Sequence, residues 1–204
     1  MKTKLLLFLI LSFLFLPSSY SQSFGGGISL GVNASQVDGD ALSGFNQLGL
    51  NLGAFVNYEI SNGLYIQPEL LLEQNGSSFQ GITLLRTTYL SLPVIFKVNI
   101  PIQIGSSTEA IQLQAGPSVG LLLRGRNDGG GDISDVFKDT DIRILGGVGV
   151  RLSPGLTFLL RYGRSLASIV PTNAPGAAGF FAPGRTGLAH NYVNFALRLH
   201  FTAN

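Results

Sequence analysis

A histidine that follows two serines is the closest approach to a catalytic pattern in this sequence. Ser165 and Ser168 precede His190 in the second half of the chain. A serine hydroxyl activated by an imidazole base attacks esters in many hydrolases. No residue of the sequence is evidently placed to orient His190, however, as such a site requires. We therefore interpret these as a solvated loop histidine and ordinary loop serines, and we assign no catalytic residue.

Two glycine-rich segments have the residue types of ion-binding loops. The run Asp128–Asp132, followed by Asp135, Asp139 and Asp141, offers carboxylates that could hold Ca²⁺. Its sixth position is Ile133 instead of the glycine of an EF-hand, so a flexible acidic surface loop is the preferred interpretation. Gly25-Gly26-Gly27 could cradle a phosphate, but no helical pattern follows it. We predict no metal site and no cofactor.

The composition excludes several classes of protein. Only 12% of the 204 residues are charged whereas 45% are hydrophobic, which excludes intrinsic disorder. The absence of cysteine excludes disulfide scaffolds, thiolate metal sites, cysteine catalysis and a lipoprotein anchor. The net charge of +2 comes from Lys2 and Lys4, and the rest of the chain is balanced, so nucleic-acid binding is not expected.

Residues 1–21 have the pattern of a secretory signal peptide. Lys2 and Lys4 precede the apolar run Leu5–Leu16, and Ser19-Tyr20-Ser21 supplies a small-x-small cleavage site. The apolar run is too short to cross a bilayer, which needs about 20 residues. An N-terminal anchor or buried helix is the alternative. We expect a mature chain of residues 22–204 that forms one domain.

Eight later segments alternate between apolar and polar or small residues. This period of two is typical of strands with two different faces, and no helical period competes with it. The segments are centred on residues 28–32, 48–59, 64–73, 90–99, 111–124, 142–152, 156–162 and 193–201. Most are long enough for a tilted strand to cross a bilayer.

The connections between these segments alternate in length. Ser61-Asn62-Gly63 and Ser153-Pro154-Gly155 are tight turns, and Pro101–Ala110 is a longer but compact connection. Gly125–Thr140 and Ser165–Ala189 are long. Short turns at one end and long loops at the other are typical of outer-membrane barrels. The sequence therefore predicts an all-β fold, an eight-stranded antiparallel up-and-down transmembrane β-barrel.

The residues of the polar face separate a membrane barrel from a soluble secreted barrel, the alternative fold. A soluble barrel needs an exterior rich in Lys and Glu, which a charged fraction of 12% does not supply. Gly, Ser, Asn and Gln instead suit the narrow lumen of an eight-stranded barrel. The segment ends carry rings that we expect in aromatic girdles at the two membrane interfaces: Tyr58, Tyr65, Tyr162, Tyr192 and Phe201.

The sparse charges indicate which face of each strand points inward. An Arg on the lipid face at mid-membrane costs about 2–4 kcal/mol, so several such charges would exceed the stability of a typical domain. We therefore predict a lumenal charge network of three acidic and five basic side chains, with Glu69 in contact with Arg161 near mid-height. The predicted members are Glu59, Glu69, Glu73, Lys97, Arg143, Arg151, Arg161 and Arg198. His200 is expected to fill the lumen near the rim.

Three prolines stand inside predicted strands, where proline removes a donor from the ladder. They are Pro68, Pro93 and Pro117. A closed barrel has no free edge, so we expect each proline at a local bulge.

Several short stretches resemble a known family when their order and spacing are taken together. They are Pro68-Glu69-Leu70-Leu71, Tyr89-Leu90-Ser91-Leu92-Pro93-Val94, Ala115-Gly116-Pro117, Gly147-Val148-Gly149 and Arg161-Tyr162-Gly163. The resemblance is to the PorT-like outer-membrane β-barrel family of Bacteroidota and covers nearly all of the mature chain. It implies an eight-stranded outer-membrane barrel, with the inward Glu69 and the prolines at the family's positions. The founding member is tied to protein export, a role that fold alone does not transfer.

We expect a monomeric, non-enzymatic protein of the bacterial outer membrane with both termini in the periplasm. Its filled lumen leaves a binding or structural role to the outer loops. Narrow porin-like transport or an accessory role in protein export is the alternative, and a lipid A-modifying hydrolase is the third. The expected partners are outer-membrane lipid and lipopolysaccharide, with export-machinery proteins as a further candidate. Lipopolysaccharide phosphates would contact arginines near the outer rim, namely Arg124, Arg126 and Arg185.

Overall fold

The alternating segments form eight antiparallel strands that close into a barrel. The computed structural model describes residues 24–40, 44–80, 82–104, 107–127, 129–171 and 187–201, so the predicted leader lies outside the described residues. Each strand pairs with its neighbours in sequence, and β1 pairs with β8. The predicted fold is therefore confirmed. The strands are β1 (Phe24–Asp38), β2 (Gln47–Ser61), β3 (Leu64–Phe79), β4 (Ile82–Ile104), β5 (Ser107–Asn127), β6 (Thr140–Ser153), β7 (Leu156–Ser165) and β8 (Ala189–Phe201).

The two ends of the barrel differ in their connections. At the turn end, β1 begins, β8 ends, and two-residue turns at residues 62–63 and 154–155 join β2 to β3 and β6 to β7. Gly63 has a φ of 77°, a conformation that favours glycine. At the loop end, longer segments join β1 to β2, β5 to β6 and β7 to β8.

The predicted connection at Pro101–Ala110 is wrong, because β4 and β5 continue through most of it as a paired ribbon. β4 runs to Ile104, β5 begins at Ser107, and Pro101 pairs with Ala110. The backbone N–H of Asn99 donates to the carbonyl of Gly63, next to the start of β3. Pro101 lies two residues farther, and its nitrogen faces the same side of β4, beyond the end of β3. A proline at such a free edge costs no ladder bond.

The strands turn an apolar face outward and a polar face inward. The outward leucine, valine and phenylalanine side chains remain exposed, whereas polar side chains such as Asn33, Thr87 and Ser91 are completely buried. The outward band contains apolar residues from every strand, for example Leu30, Leu50, Leu70, Leu92, Leu113, Val148, Phe158 and Leu197. A continuous apolar exterior of this kind marks a surface that meets lipid or a partner.

The prediction of a bulge at each strand proline is also wrong. Around Pro68 the pairing of β2 with β3 passes from Phe55–Glu69 to Tyr58–Ile66 without a change of register. Pro93 pairs with Ser118 and Pro117 with Ile144, each in continuous register with the pairs on either side. A bulge would shift the register, and a shift by one residue turns every following side chain to the other face. The strands keep their register instead, which costs single ladder bonds at the prolines but leaves the polar side chains facing the lumen.

Two of the predicted girdle tyrosines point into the lumen. Tyr65 lies beneath the ammonium group of Lys97, which is 4.9 Å from its ring centre. Tyr192 is 1% exposed and covers Gly163, where an added Cβ would lie 2.3 Å from the tyrosine ring. An aromatic ring laid over a glycine of the neighbouring strand helps to fix the register of a sheet. Tyr58, Tyr162 and Phe201 do face outward.

An apolar cluster, here named the loop-end plug, packs inside the barrel at its loop end. The strands contribute Val37 and Leu85, and the loops contribute Phe137, Ile169, Val170 and Leu188. Two backbone bonds join the loops, from Lys138 N–H to the Ile169 carbonyl and from Ile169 N–H to the Leu188 carbonyl, each 2.8 Å long. The acidic loop expected to be flexible thus continues into an ordered segment with a 3-10 turn at Ser134–Val136. No helix among the described residues is long and apolar enough to cross a membrane.

Candidate functional site

Glu69 forms the centre of a buried charge cluster, here named the turn-side cluster. Arg161 donates to both carboxylate oxygens of Glu69 at 2.8 Å, and Arg198 donates to one of them at 2.8 Å. The same Arg161 donates to Gln114 Oε1 at 2.6 Å. These bonds connect β3 with β5, β7 and β8, so they cross the lumen. The structure therefore brings Glu69 and Arg161 together, as the alternation of the sequence predicted.

Lys97 extends the turn-side cluster toward the turn end. Its ammonium group donates to Asn57 Oδ1 at 2.8 Å and to Gln67 Oε1 at 3.2 Å. Gln67 in turn donates to Glu69, so amides connect the lysine to the carboxylate. A buried ammonium group needs such oxygen partners, because an unpaired charge in the lumen would be strongly destabilising.

A second cluster, the loop-side cluster, is centred on Arg143 between the turn-side cluster and the loop-end plug. Arg143 is completely buried and donates to Glu73 Oε2 at 2.6 Å and to Asp141 Oδ2 at 2.7 Å. Its guanidinium group stacks 4.6 Å from the ring centre of Tyr89. The Arg143–Glu73 bond joins β6 to β3 across the lumen. Sequence reasoning missed Asp141 in this role, although it lies two residues before Arg143 and thus on the same inward face.

His190 belongs to the loop-side cluster, and the expectation of a solvated loop histidine is wrong. Its Nδ1 lies 3.2 Å from Asp141 Oδ2, and its Nε2 lies 3.1 Å from the hydroxyl of Thr87. Asp141 therefore orients the ring, which the sequence did not reveal. Ser165 donates to the same carboxylate and accepts from the backbone N–H of His190, so its hydroxyl is not bonded to the ring.

This arrangement has the parts of a catalytic triad but no access for a substrate. Thr87 and His190 are 0% exposed and Asp141 is 2% exposed, with the loop-end plug on one side and the rest of the loop-side cluster on the other. Ser168 donates to the Val170 carbonyl and lies outside the arrangement. The buried network therefore fixes the positions of β4, β6 and β8 relative to one another.

Three predicted lumenal residues lie at the turn-end rim, away from both clusters. Glu59 is half-buried and accepts a hydrogen bond from the backbone N–H of Gly63 at 3.1 Å. Arg151 is exposed. His200 packs edge-on against Phe55, and its Nε2 lies 3.0 Å from the Thr157 hydroxyl. The predicted network is thus two separate clusters, with Glu59 and Arg151 at the solvent boundary.

The acidic loop does not gather its carboxylates. Asp132 accepts hydrogen bonds from the hydroxyl and the backbone N–H of Ser134, which hold the pKa of this exposed carboxyl below its usual range. Asp135 and Asp139 are exposed, whereas Asp141 is buried in the lumen. Among the described residues, no group of three or more acidic, histidine or cysteine side chains could hold a metal ion. Asp128 lies outside the described residues.

Two of the three arginines predicted near the outer rim, Arg124 and Arg126, lie on the outer wall at the loop end. A register shift opposite Thr88 and Tyr89 turns the side chain of Arg124 outward. Arg126 is exposed on the same wall and pairs directly with Arg86 of β4, which the sequence analysis did not single out. Arg185 lies outside the described residues.

An open groove of about 360 Å³ lies at the loop end, where β7 and β8 meet β1. Arg164 and Asp38 line it and form an ion pair of 3.5 Å. Ser168 and Leu188 also line the groove, and Leu188 belongs to the loop-end plug as well. The groove is therefore a concave surface on the ordered loops.

Three solved structures illustrate what the chain is similar to. Neisserial surface protein A is similar with 16% identity and a TM-score of 0.50 over 88% of this chain and 97% of that chain. The attachment invasion locus protein Ail of Yersinia pestis has 15% identity and a TM-score of 0.45 over 87% and 98%. The N-terminal β-barrel domain of Pseudomonas aeruginosa OprF has 7% identity and a TM-score of 0.43 over 88% and 98%. At 16% identity the likeness to Neisserial surface protein A concerns the fold alone.

The sequence comparisons assign the family. A search among curated proteins gives no match. Residues 20–170 match the family described as outer membrane protein beta-barrel domain, which covers most of the chain and seven of the eight strands. The chain belongs to this outer membrane protein beta-barrel domain family.

Proposed function

We propose that the protein is a closed, non-conducting outer-membrane barrel whose loop end serves as a binding or structural surface. The observation that carries this proposal is the filling of the lumen by side chains bonded from wall to wall. Glu69 bonds to β7 and β8, and Glu73 bonds to β6, while the loop-end plug packs above them. A solute passing through would have to break these contacts in turn.

The energies of such contacts favour a permanently closed lumen. Breaking a buried ion pair by removing one partner costs about 3–5 kcal/mol, because the other charge is left unpaired. Opening both clusters would cost a large part of the 5–15 kcal/mol that typically stabilises a folded domain. Any function in binding is therefore assigned to the exterior, where the loop-end groove and the exposed arginines lie.

Ion conductance in planar lipid bilayers tests this proposal. We expect no steady conductance from the wild-type barrel, and brief, irregular openings from the double variant Glu73→Ala/Arg143→Ala. The control is Glu59→Ala, which changes a rim residue outside both clusters. Steady, large conductance of the wild-type protein would contradict the proposal and favour the porin-like alternative.

The orientation that we propose places the loop end outside the cell and both termini in the periplasm. The predicted leader and the even number of strands support it, since barrels of this class have short periplasmic turns. Epitope tags can test it in intact cells. A tag inserted after Gly130 should be reached by antibody, whereas a tag after Asn204 should require permeabilised cells. The reverse result would contradict the orientation.

The resemblance to the PorT-like family supports an accessory role in protein export as a second candidate. The resemblance rests on short stretches around the strand prolines and Glu69. A pulldown after mild detergent extraction tests it. Co-purification of export components would support the accessory role, and a barrel recovered alone as a monomer would support the stand-alone role proposed first.

We propose no enzymatic activity for this barrel, because the oriented histidine is enclosed. Replacing His190 by alanine should leave the lipid A of the host membrane unchanged, whereas loss of a lipid A modification in that variant would support a hydrolase.

A further inference from the structure

Three arginines form a cationic patch on the outer wall of β4 and β5 at the loop end. Arg86 pairs directly with Arg126, and Arg124 pairs with Thr88 one step closer to the membrane band. Their neighbours in sequence, among them Leu85, Thr87 and Gly125, point inward and are buried. All three arginine side chains therefore project from the same outer face, and we name them the arginine patch.

Asp132 is the carboxylate that the described residues place beside the arginine patch. Asp132 approaches Arg124 at 3.9 Å, and the structure forms no ion pair at Arg86 or Arg126 within the described part of the chain. The Nε of Arg86 is buried and has no hydrogen-bond partner there. Like charges directly opposite each other on paired strands destabilise the sheet. An anion bound between the strands would remove this repulsion and satisfy the free donor.

The height of the arginine patch identifies the kind of anion. Leu123, 56% exposed, directly precedes Arg124, and Leu92, 48% exposed, lies farther down β4 in the apolar band. The guanidinium groups thus border the exposed apolar band on the loop-end side, a position that fits lipid phosphates where this band faces acyl chains. Arg binds phosphate through two parallel hydrogen bonds, which Lys cannot reproduce.

We propose that Arg86, Arg124 and Arg126 bind the phosphate groups of lipopolysaccharide. The choice of this lipid rests on the proposed orientation, which places the loop end in the outer leaflet, whereas the arginine–phosphate contact does not depend on it. Arg86 is the member of this site that the sequence analysis did not include. Its Nε is the buried donor without a hydrogen-bond partner, and the residue lies between Gly76 of β3 and Arg126 of β5.

The test measures lipid binding by the full-length mature barrel, refolded in an uncharged detergent. Native mass spectrometry would follow binding of three separate probes: lipopolysaccharide, phosphatidylglycerol and inorganic phosphate. The variants are Arg86→Gln/Arg126→Gln and Arg86→Lys/Arg126→Lys. Arg151→Gln is the control, because this exposed arginine lies at the opposite, turn end of the barrel.

We expect tight binding of lipopolysaccharide to the wild type and a loss of at least about tenfold per arginine in the glutamine variant, as for charge-assisted hydrogen bonds. The lysine variant should recover only part of the affinity, and the control should bind like the wild type. Without lipid, the glutamine variant should unfold at the same temperature as the wild type or higher, because the repulsion is removed.

Three results would overturn the proposal. Unchanged lipopolysaccharide binding in the glutamine variant would exclude the arginine patch as the site. Equal affinity for phosphatidylglycerol would exclude specificity for lipopolysaccharide, and competition by millimolar inorganic phosphate alone would indicate a free-anion site. None of these readouts depends on conductance, so a failure here is distinct from a failure of the closed-barrel proposal.

Discussion

The turn-side cluster allows a sharp prediction, because its carboxylate and its arginines are not equivalent. Glu69 forms ion pairs with two arginines, Arg161 and Arg198, whereas each of these arginines depends on this one shared carboxylate. Glu69→Ala leaves two buried guanidinium groups without a carboxylate. Arg161→Ala leaves Glu69 still paired. We therefore expect a loss in free energy of unfolding of about 5 kcal/mol for Glu69→Ala and about 3 kcal/mol for Arg161→Ala, the two ends of the range for broken buried pairs.

The double variant shows whether Glu69 and Arg161 stabilise each other directly. Because Arg161 makes two 2.8 Å bonds to Glu69, the loss in Glu69→Ala/Arg161→Ala should be smaller than the sum of the single losses by about 2–3 kcal/mol. The assay is urea unfolding from lipid vesicles, followed by the difference in gel mobility between folded and unfolded barrels, since the chain has no tryptophan. Glu59→Ala, at the rim, is the control with an expected loss below about 1 kcal/mol.

Two results would refute this reasoning. Strictly additive losses would show that Glu69 and Arg161 do not stabilise each other. A larger loss for Arg161→Ala than for Glu69→Ala would show that the shared carboxylate is not the centre of the cluster.

Three further substitutions test other parts of the structure. Gly163→Ala places a Cβ 2.3 Å from the rigid ring of Tyr192 and should cost about 1–3 kcal/mol of unfolding free energy, and an unchanged urea midpoint would contradict the close approach. Phe137→Ala removes the buried ring of the loop-end plug; it should cost about 3–5 kcal/mol and speed hydrogen exchange at the Lys138 amide, and normal exchange there would contradict the plug. Val94→Arg, on the outward face near the level of Glu69, should cost about 2–4 kcal/mol of unfolding free energy. Phe201→Arg, at the turn end, should cost about 0–1 kcal/mol, and equal costs for the two variants would contradict the assigned depth.

The alternation of the sequence was sufficient to predict the barrel and the inward charges, because a period of two determines which side chains share a face. It predicted that Glu69 and Arg161 would meet, since both lie on the inward face near mid-height. It could not separate the two clusters, because the vertical offset between strands depends on how the closed sheet is staggered. The sequence therefore indicates Asp141 only as a loop ligand and offers no orienting partner for His190.

The remaining errors have local physical causes. The position of Tyr65 and Tyr192 near segment ends predicts girdle residues, but the alternation of their own strands turns both inward. There the Tyr65 ring packs against Lys97 and the Tyr192 ring against Gly163. The strand prolines were expected to force bulges, yet keeping the register preserves the polar lumen along the whole strand. The long loops offered no period from which the loop-end plug could be predicted.

The central claim is that the apolar face of each strand meets lipid while the charges are enclosed in a filled lumen. The chain has no cysteine, so a single introduced cysteine carries a spin label at one known position. Labels placed singly along residues 90–98 of β4 in lipid vesicles would report collisions with oxygen, which concentrates in lipid, and with a water-soluble nickel complex. We predict high oxygen accessibility at even positions such as Leu92→Cys and Phe96→Cys, and low accessibility to both reagents at odd positions such as Ser91→Cys and Ile95→Cys. High nickel accessibility at the even positions, or no period of two, would contradict the account.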